Sequence, residues 1–557
     1  MPLYRVPIIA FVALVLVSAA TFLLLKSPRA RLVSGIRRFW GLYALSQVLL
    51  IALVFGNHLS FPLNLEFMES AVLQHVARLS AGLPLYIEPS PEFVPLAYNP
   101  LFYLVGVPFV RIFGENMMAI RLPAVLGSLG TAVMVFVLVR GRTRSRWWAG
   151  IGIGLFAAAY RVMDCYLDVG HRDSLLIFSI LMGLWCLDRG GRWQPYLGMV
   201  CLAMGFWFKQ QGILFLFMGI AYAFWRYPVR AAAPVSLLGV ALGPLLYWCA
   251  PASWWGPRFH FYTYEVPTQW TAFQWSEIAY LARLLLWHYG ALVAAAIWLW
   301  GATLLRRAGP SLGIWRLAVP GALLSGLAAT MTPGSSNNVF IPMGVLIITG
   351  GVIALARMSR LNDRGRRFCY ALLGLAFASL LYRPQTVLTP PGAEAAFGDF
   401  AGIMLALDGP VFGPGLGRMV TPPGSQVRQA PTVHVMPMSD MVRGPGRDEN
   451  AHPAVRALLQ SVENPVGMAY IMGHSTLTGE PTLAYLDPRY RLLTDFEKRF
   501  EALATLPARH GHLYPQYLYQ SIQSPPGGRR AAQPTCGSRP GCQQRCSRLA
   551  PKARTTC

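Results

Sequence analysis

Apolar runs of roughly 15 to 22 residues follow one another until about residue 382, separated by short polar segments. The chain has 557 residues, of which 54% are hydrophobic and only 13% are charged, and its mean hydropathy is +0.42. A soluble protein of this length needs more charge to cover its surface. The pattern predicts an all-α polytopic membrane protein of about 12 transmembrane helices, with interfacial helices in its first external loop.

The formal net charge is +24, from 48 Lys and Arg residues against 24 Asp and Glu residues. In a soluble protein this excess would suggest a nucleic-acid partner. Here most basic residues lie in short loops between apolar runs, a pattern that sets the orientation of a membrane protein. We therefore predict no nucleic-acid partner and use the basic loops to assign the topology.

The segment KSPRARLVSGIRR, residues 26–38, is densely basic and is predicted to be cytoplasmic. The run at 39–55 then crosses outward, which places residues 56–118 outside. Within this loop, the apolar stretch 98–113 would reach only about 24 Å as a helix, less than the roughly 30 Å hydrocarbon core. If it crossed, the basic segment 140–146 would lie outside, so we predict an interfacial helix instead.

The other predicted spans begin with 6–25 and continue after the first external loop. They are 119–139, 147–163, 174–188, 194–208, 212–226, 231–249, 284–305, 315–331, 338–357 and 367–382. Most of the acids before residue 383 then fall on the external side. Acids gathered with a few cations on one membrane face suit chemistry on an anionic lipid headgroup.

The composition changes at Arg383, after which no further spanning run occurs. We predict a transmembrane domain at 1–382, a small extracytoplasmic α/β domain at 383–523 and a disordered tail at 524–557. The tail holds four of the nine cysteines, at spacings that fit no zinc template.

Two acids lie just outside the end of the second predicted span, Glu66 and Glu69. Three residues apart, they would share a face if both were helical. Either could act as a general base that removes a proton from an acceptor hydroxyl. The alternative is a solvated pair that caps the following helix.

A second acidic turn holds His171, Arg172 and Asp173 directly before an apolar run. Asp173 could be an N-cap or part of a functional site. Asp and His could also hold a divalent cation, although the spacing matches no metal template. No cofactor is otherwise predicted.

Further candidates lie in later external turns. Lys209 and Gln210 lie between two apolar runs, where a Lys is costly unless it snorkels or meets a phosphate. The aromatic segment 251–283 reads mostly as an interfacial belt but includes the site candidates Arg258 and His260. Asn338 precedes an apolar helix and could cap it or contact sugar hydroxyls.

In this order, several segments together resemble the GT-C glycosyltransferases, most closely the protein O-mannosyltransferases and the aminoarabinose transferases of lipid A. They are ESAVLQHVARLSAGLPLY (69–86), NPLFYLVGVPFVRIFGENMMAIRLPAVLGSL (99–129), GHRDSLLIF (170–178), FWFKQQGILF (206–215) and GSSNNVFIP (334–342). Two positions depart from the family pattern. The usual Asp-Glu pair aligns with Met68 and Glu69, and a Lys of the lipid A branch aligns with Tyr98.

The resemblance implies an enzyme of the plasma (inner) membrane that works on the extracytoplasmic side with inversion at the anomeric carbon. Its donor would be a polyprenyl-phosphate-linked sugar, and its acceptor a lipid, glycan or protein. Glu69 would be the base, with Glu66 as the alternate, and Asp173 would orient the acceptor or the base. Lys209, and in second place Arg258, would hold the donor phosphate.

A multi-pass transporter or lipid flippase is the alternative, since about 12 helices suit that class. Such folds usually carry repeats and mid-membrane polar residues, and the sequence has neither. A non-catalytic scaffold is a third interpretation, because the usual Asp is replaced by Met68.

Overall fold

The computed structural model describes residues 30–405, except 63, 67, 90–92, 305–311, 334 and 390. It also describes the short segments 411–412, 470–473, 490–495 and 517–522. The predicted span at 6–25, the predicted tail at 524–557 and most of the predicted domain at 383–523 lie outside the described residues.

The described chain is mostly helical, as predicted, and its longer helices follow the apolar runs. They are α1 (Ala30–Leu59), α2 (Glu69–Ser80), α3 (Leu101–Phe113), α4 (Met117–Thr143), α5 (Arg146–Ala158), α6 (Asp173–Arg189), α7 (Gln194–Phe208), α8 (Gly212–Arg226), α9 (Val229–Cys249), α10 (Trp275–His288), α11 (Gly290–Leu304), α12 (Trp315–Ala329), α13 (Ile341–Met358), α14 (Asp363–Ser379) and α15 (Ala393–Leu405). Helix α9 contains a π-helical turn at Ala241–Leu245, beside Pro244. Shorter helical turns are Ala252–Trp255, Phe261–Glu265, Val266–Gln269, Asn337–Phe340 and Pro384–Thr386.

By length and composition, four helical stretches could cross a membrane: Val33–Leu59, Met117–Thr143, Val229–Cys249 and Asn337–Met358. The single helix predicted at 284–305 is wrong, because this region forms α10 and α11, which are bent by 89°. Counted as one broken span, this pair gives a fifth crossing.

Four short strands form one sheet in the order β1 (Val411–Phe412), β2 (Tyr470–Gly473), β4 (Tyr517–Ser521), β3 (Tyr490–Asp495). Strands β1 and β2 are parallel, and Val411 lies opposite Tyr470. The other pairs are antiparallel, and β3 carries an irregularity between Leu492 and Thr494.

Glycines let the helices around the functional residues pack closely. A Cβ on Gly183 of α6 would lie 2.9 Å from the carbonyl oxygen of Gly198 in α7, and the reverse distance is also 2.9 Å. A Cβ on Gly127 of α4 would lie 2.9 Å from the backbone at Ser174. Small residues of this kind allow helix backbones to approach each other. They hold the first turn of α6, which begins with Asp173, against its neighbours.

Candidate active site

The loop between α5 and α6 (159–172) is almost wholly buried and is anchored by a polar network. Asp168 lies 2.6 Å from Nδ1 of His58 and accepts a 2.7 Å hydrogen bond from the hydroxyl of Tyr160. Nε2 of His58 lies 2.6 Å from the carbonyl oxygen of Val387. The network therefore ties the end of α1 to the loop that leads into α6.

Glu69 and Arg121 form a fully buried, two-pronged ion pair. Nε of Arg121 donates to Oε1 of Glu69 at 2.8 Å, and Nη2 donates to Oε2 at 2.7 Å. The same carboxylate accepts hydrogen bonds from the backbone N–H groups of Gly170 and Leu65, each at 2.7 Å. Arg121 also donates to the carbonyl oxygen of His58 at 2.7 Å.

These contacts determine the charge of Glu69. Burial opposes its ionisation, but the Arg121 guanidinium and the backbone N–H groups hold its pKa below the usual range. Glu69 is thus a poor proton acceptor whose oxygens already accept four hydrogen bonds. Its contacts join α1, α2, α4 and the 159–172 loop.

Glu66 lies in the turn before α2, so the helical face that spacing suggested for the two glutamates does not exist. Its carboxyl accepts hydrogen bonds from the N–H of Met68 at 2.9 Å and from the hydroxyl of Tyr166 at 3.0 Å. It forms no ion pair at the 4.0 Å limit with any described residue. Burial raises its pKa to about 8, and the charge of Glu69 adds to this increase.

Asp173 is the centre of a second buried cluster. Nζ of Lys209 donates to its Oδ1 at 2.7 Å, and the side-chain amide of Asn338 donates to its Oδ2 at 3.1 Å. Nδ1 of His171 contacts the same Oδ2. The N-cap of α6 is Arg172, and Asp173 is the first residue of the helix, so the alternative that Asp173 is the N-cap is wrong. Burial, with the nearby Arg172 charge, lowers the pKa of His171 to about 4.

Arg172 is 1% exposed, yet its Nε and Nη2 atoms have no hydrogen-bond partner in the part of the chain that the structure describes. Its guanidinium lies over the ring of Tyr98, 3.0 Å from the ring centre. A buried guanidinium that lacks a paired acid is costly unless a ligand supplies one.

The two clusters adjoin. The ring of Tyr166, which holds Glu66, packs edge-on against His171 with ring centres 5.2 Å apart. The charge of Arg172 acts on both Glu66 and Asp173. We call Glu66, His171, Arg172, Asp173 and Lys209 the acid–cation site. All five are at least nine-tenths buried.

Three predicted site residues have their contacts elsewhere. Gln210 donates to the carbonyl oxygens of Ala97 and Thr263, at 3.1 and 3.0 Å, which fixes the backbone before Tyr98. Arg258 forms an exposed ion pair with Glu88. His260 lies 3.0 Å from the carbonyl oxygen of Tyr247 and stacks on Trp248.

Within the described residues, no group of three His, Cys, Asp or Glu side chains is placed to hold a metal ion. In the acid–cation site the Lys209 ammonium occupies the position beside Asp173 Oδ1. The cation next to this carboxylate is therefore supplied by the chain itself.

Comparisons with known proteins show what this chain is similar to. Residues 98–255, which include Arg121, Asp173 and Lys209, match the family model of the dolichyl-phosphate-mannose-protein mannosyltransferases. ArnT from Cupriavidus metallidurans in the apo state has a similar fold, with a TM-score of 0.52 at 13% identity over 87% of this chain and 99% of ArnT. The segment 98–255 is thus similar to a glycosyltransferase family, and the chain shares the fold of ArnT. The family resemblance in its sequence is thereby confirmed.

Two further structures resemble this chain more weakly. ArnT from Cupriavidus metallidurans bound to undecaprenyl phosphate gives a TM-score of 0.47 at 13% identity, over 86% of this chain and 99% of ArnT. The other is the archaeal oligosaccharyltransferase AglB from Archaeoglobus fulgidus, in complex with an inhibitory peptide and a dolichol-phosphate. Its TM-score is 0.47 at 10% identity, over 80% of this chain and 70% of AglB. No curated protein sequence matches this chain.

Sequence reasoning assigned no role to Arg121 or Tyr166. Arg121 had a usable signal, because a charged residue inside an apolar helix is costly and usually paired. Tyr166 had no such signal in the sequence, since a Tyr beside a loop acid is common. Its contact with Glu66 joins residues 100 positions apart.

Proposed function

We propose that this protein is a GT-C glycosyltransferase that moves a sugar from a polyprenyl-phosphate donor to a lipid, glycan or protein acceptor on the extracytoplasmic side of the plasma (inner) membrane. One observation carries the proposal. Among the described residues, Glu66 is a carboxyl without a paired cation, and it lies in the same buried site as Arg172, a guanidinium without a paired acid. A donor phosphate and an acceptor hydroxyl would satisfy both groups.

The donor phosphate would lie between Arg172 and Lys209. An arginine fork suits phosphate oxygens, and Lys supplies a point charge. Tyr98 stands where the lipid A branch of the family has a Lys, and the Arg172 guanidinium lies over its ring. Arg172 thus supplies the positive charge that the Tyr98 substitution removes. The fold relative ArnT is known with undecaprenyl phosphate, and a carrier of that class is what we propose here.

Glu66 would be the general base, in place of the Glu69 that the family pattern suggests. Its raised pKa suits proton abstraction, whereas the ion pair with Arg121 keeps Glu69 ionised and occupied. In the reaction an acceptor oxygen bonds to the anomeric carbon as the bond from that carbon to the phosphate oxygen breaks. The proton passes to Glu66, and the polyprenyl phosphate leaves with the electron pair.

Asp173 would act as a positioning residue. It holds Lys209 at 2.7 Å, and Asn338 and His171 fix its other oxygen. His171, with its lowered pKa, is neutral at pH 7 and adds no charge that would weaken the hold on Lys209.

The pH dependence of the reaction distinguishes the two glutamates. If Glu66 is the base, kcat/KM should rise with pH and level off above about pH 8, because only the deprotonated carboxylate accepts a proton. If Glu69 were the base, its lowered pKa would leave the rate flat over this range. Initial rates between pH 5 and 9.5, at donor concentrations below KM, measure this rising limb of the pH profile. Arg172→Gln should shift the limb to higher pH, since the charge of Arg172 favours the carboxylate.

Removing the guanidinium should weaken donor binding. We expect Arg172→Gln to raise KM for the polyprenyl-phosphate sugar by about tenfold or more, as expected for a lost charge-assisted contact. The melting temperature should stay the same or increase, because the side chain has no paired acid among the described residues. The Arg172→Lys variant, which keeps the charge but not the planar fork, should have a KM between those of the wild type and Arg172→Gln. A clear loss of stability with unchanged KM would instead indicate a structural role.

We also propose the complete topology of about 12 crossings, with basic loops inside and the acid–cation site outside, and an extracytoplasmic α/β domain at 383–523. The density of Arg at 140–146 and 357–367 supports this orientation. The short sheet of β1 to β4 lies within the proposed domain.

Mass spectrometry of envelope glycolipids and glycoproteins tests the function. Host cells that lack the protein, or that carry Glu66→Gln at equal protein level, should accumulate the polyprenyl-phosphate sugar and lose one glycosylated product. Unchanged glycans in both strains would overturn the proposal. Loss of solute uptake with intact glycans would identify a transporter instead.

A further inference from the structure

A second polar cavity, of about 390 Å³, lies far from the acid–cation site. It is lined by Arg142, Asp188, Tyr222, Trp225, Arg226 and Arg316. Neither the matched family description nor the proposed reaction assigns it a role. We call it the arginine pocket.

The arginine pocket lies at the opposite ends of the helices that form the acid–cation site. Helix α6 begins with Asp173 and carries Asp188 in its last turn. Helix α4 carries Arg121 near its start and Arg142 near its end. At 1.5 Å per residue these pairs are separated by about 22 and 32 Å, roughly the thickness of a hydrocarbon core. The pocket is thus placed at the other membrane face.

The acid in the pocket is fully engaged. Asp188 pairs with Arg142 and accepts hydrogen bonds from the hydroxyl of Tyr222 at 2.9 Å and from the N–H of Ile314 at 3.1 Å. It neutralises one of the three lining arginines. The backbone at Gly313 lies directly against the pair, where a Cβ would collide with both side chains.

The other two arginines, Arg226 and Arg316, have no ion-pair partner among the described residues. The guanidinium of Arg316 lies 5.3 Å from the ring centre of Trp225, and its Nε is buried without a hydrogen-bond partner. The pocket therefore carries two positive charges and an unsatisfied donor beside an indole that is 50% exposed. Half-exposed Trp residues are typical of the headgroup level of a membrane.

We propose that the arginine pocket binds a phosphate group, as carried by the headgroup of an anionic lipid in the leaflet opposite the acid–cation site. Two unpaired guanidiniums match the charge of a phosphodiester, and arginine forks match its oxygens. Trp225 and the adjacent Phe224, which is 47% exposed, provide an apolar surface next to the charges for the glycerol and acyl region.

Lipid binding by the purified full-length protein tests the proposal. Native mass spectrometry in detergent measures the affinity for phosphatidylglycerol and, in parallel, phosphatidylcholine, and a melting curve with inorganic phosphate tests a soluble source. We expect tight binding of phosphatidylglycerol and little binding of phosphatidylcholine. Arg316→Gln should weaken phosphatidylglycerol binding about tenfold. Arg316→Lys should weaken it less, because the charge remains.

Arg192→Gln is the matched control. Arg192 stacks on Trp193 at 5.1 Å, as Arg316 stacks on Trp225, but it is exposed and is not part of the arginine pocket. It should bind the lipid like the wild type. The Arg172→Gln variant alters only the donor site and should also bind the lipid like the wild type. Failure of the proposed reaction would therefore leave this result intact. Equal binding by Arg316→Gln and wild type would overturn the proposal, as would equal affinity for the two lipids. Stabilisation by inorganic phosphate that Arg316→Gln abolishes would support a phosphate site with a soluble ligand.

Discussion

Glu66→Gln should reduce the rate of sugar transfer by about 10²–10⁴-fold while leaving the protein as stable as the wild type. The raised pKa means that the side chain is largely neutral at pH 7, so an amide of the same shape is a mild replacement in the fold. An amide oxygen can still accept the hydrogen bond from Tyr166, but it cannot take up a proton. Transfer from a polyprenyl-phosphate sugar, followed in detergent alongside a melting curve, measures both quantities.

Glu115→Gln is the matched control for this experiment. Glu115 is exposed and lies in the same predicted external segment, and its neutralisation should leave the rate within about twofold of wild type. Transfer by Glu66→Gln at more than about a tenth of the wild-type rate would show that another group accepts the proton. The ascending pH limb should disappear together with the activity, because both depend on the same carboxyl.

Much of the acid–cation site could be predicted from local sequence. Asp173 directly precedes an apolar run, and Lys209 lies in the short turn between two others, so both had to lie at helix ends. The basic loops then placed both ends on one side of the membrane. The bend at Tyr289 between α10 and α11 could not be predicted, because both halves are apolar and no Pro or Gly pair breaks the run before Tyr289.

The roles of the two glutamates could not be predicted from their spacing. Glu69 meets Arg121 across 52 positions and Glu66 meets Tyr166 across 100, and only tertiary packing brings these groups together. The family pattern favoured Glu69, since it occupies the second position of the usual acidic pair. Its partner Arg121 reverses that preference by keeping the carboxylate ionised.

Breaking the ion pair between Glu69 and Arg121 should strongly destabilise the described helical region. Both side chains are 0% exposed, and the pair links the ends of α1, α2 and α4. Removing one member of a buried ion pair leaves the other charge without compensation, which typically costs about 3–5 kcal/mol. Pairs of this kind cost much less when both members are replaced together.

Glu69→Gln and Arg121→Met should therefore each lower the stability by about 3–5 kcal/mol, measured as a large decrease in melting temperature in detergent. The double variant Glu69→Leu/Arg121→Met should lose less than the sum of the two single changes, because it leaves no unpaired charge. It should not regain full stability, since Arg121 also donates to the carbonyl oxygens of His58 and Phe61. If the Glu69→Gln variant instead keeps the wild-type melting temperature but cannot transfer sugar, Glu69 is the base. If Glu69→Gln loses stability and Glu66→Gln does not, Glu69 supports the fold and Glu66 is left for the reaction.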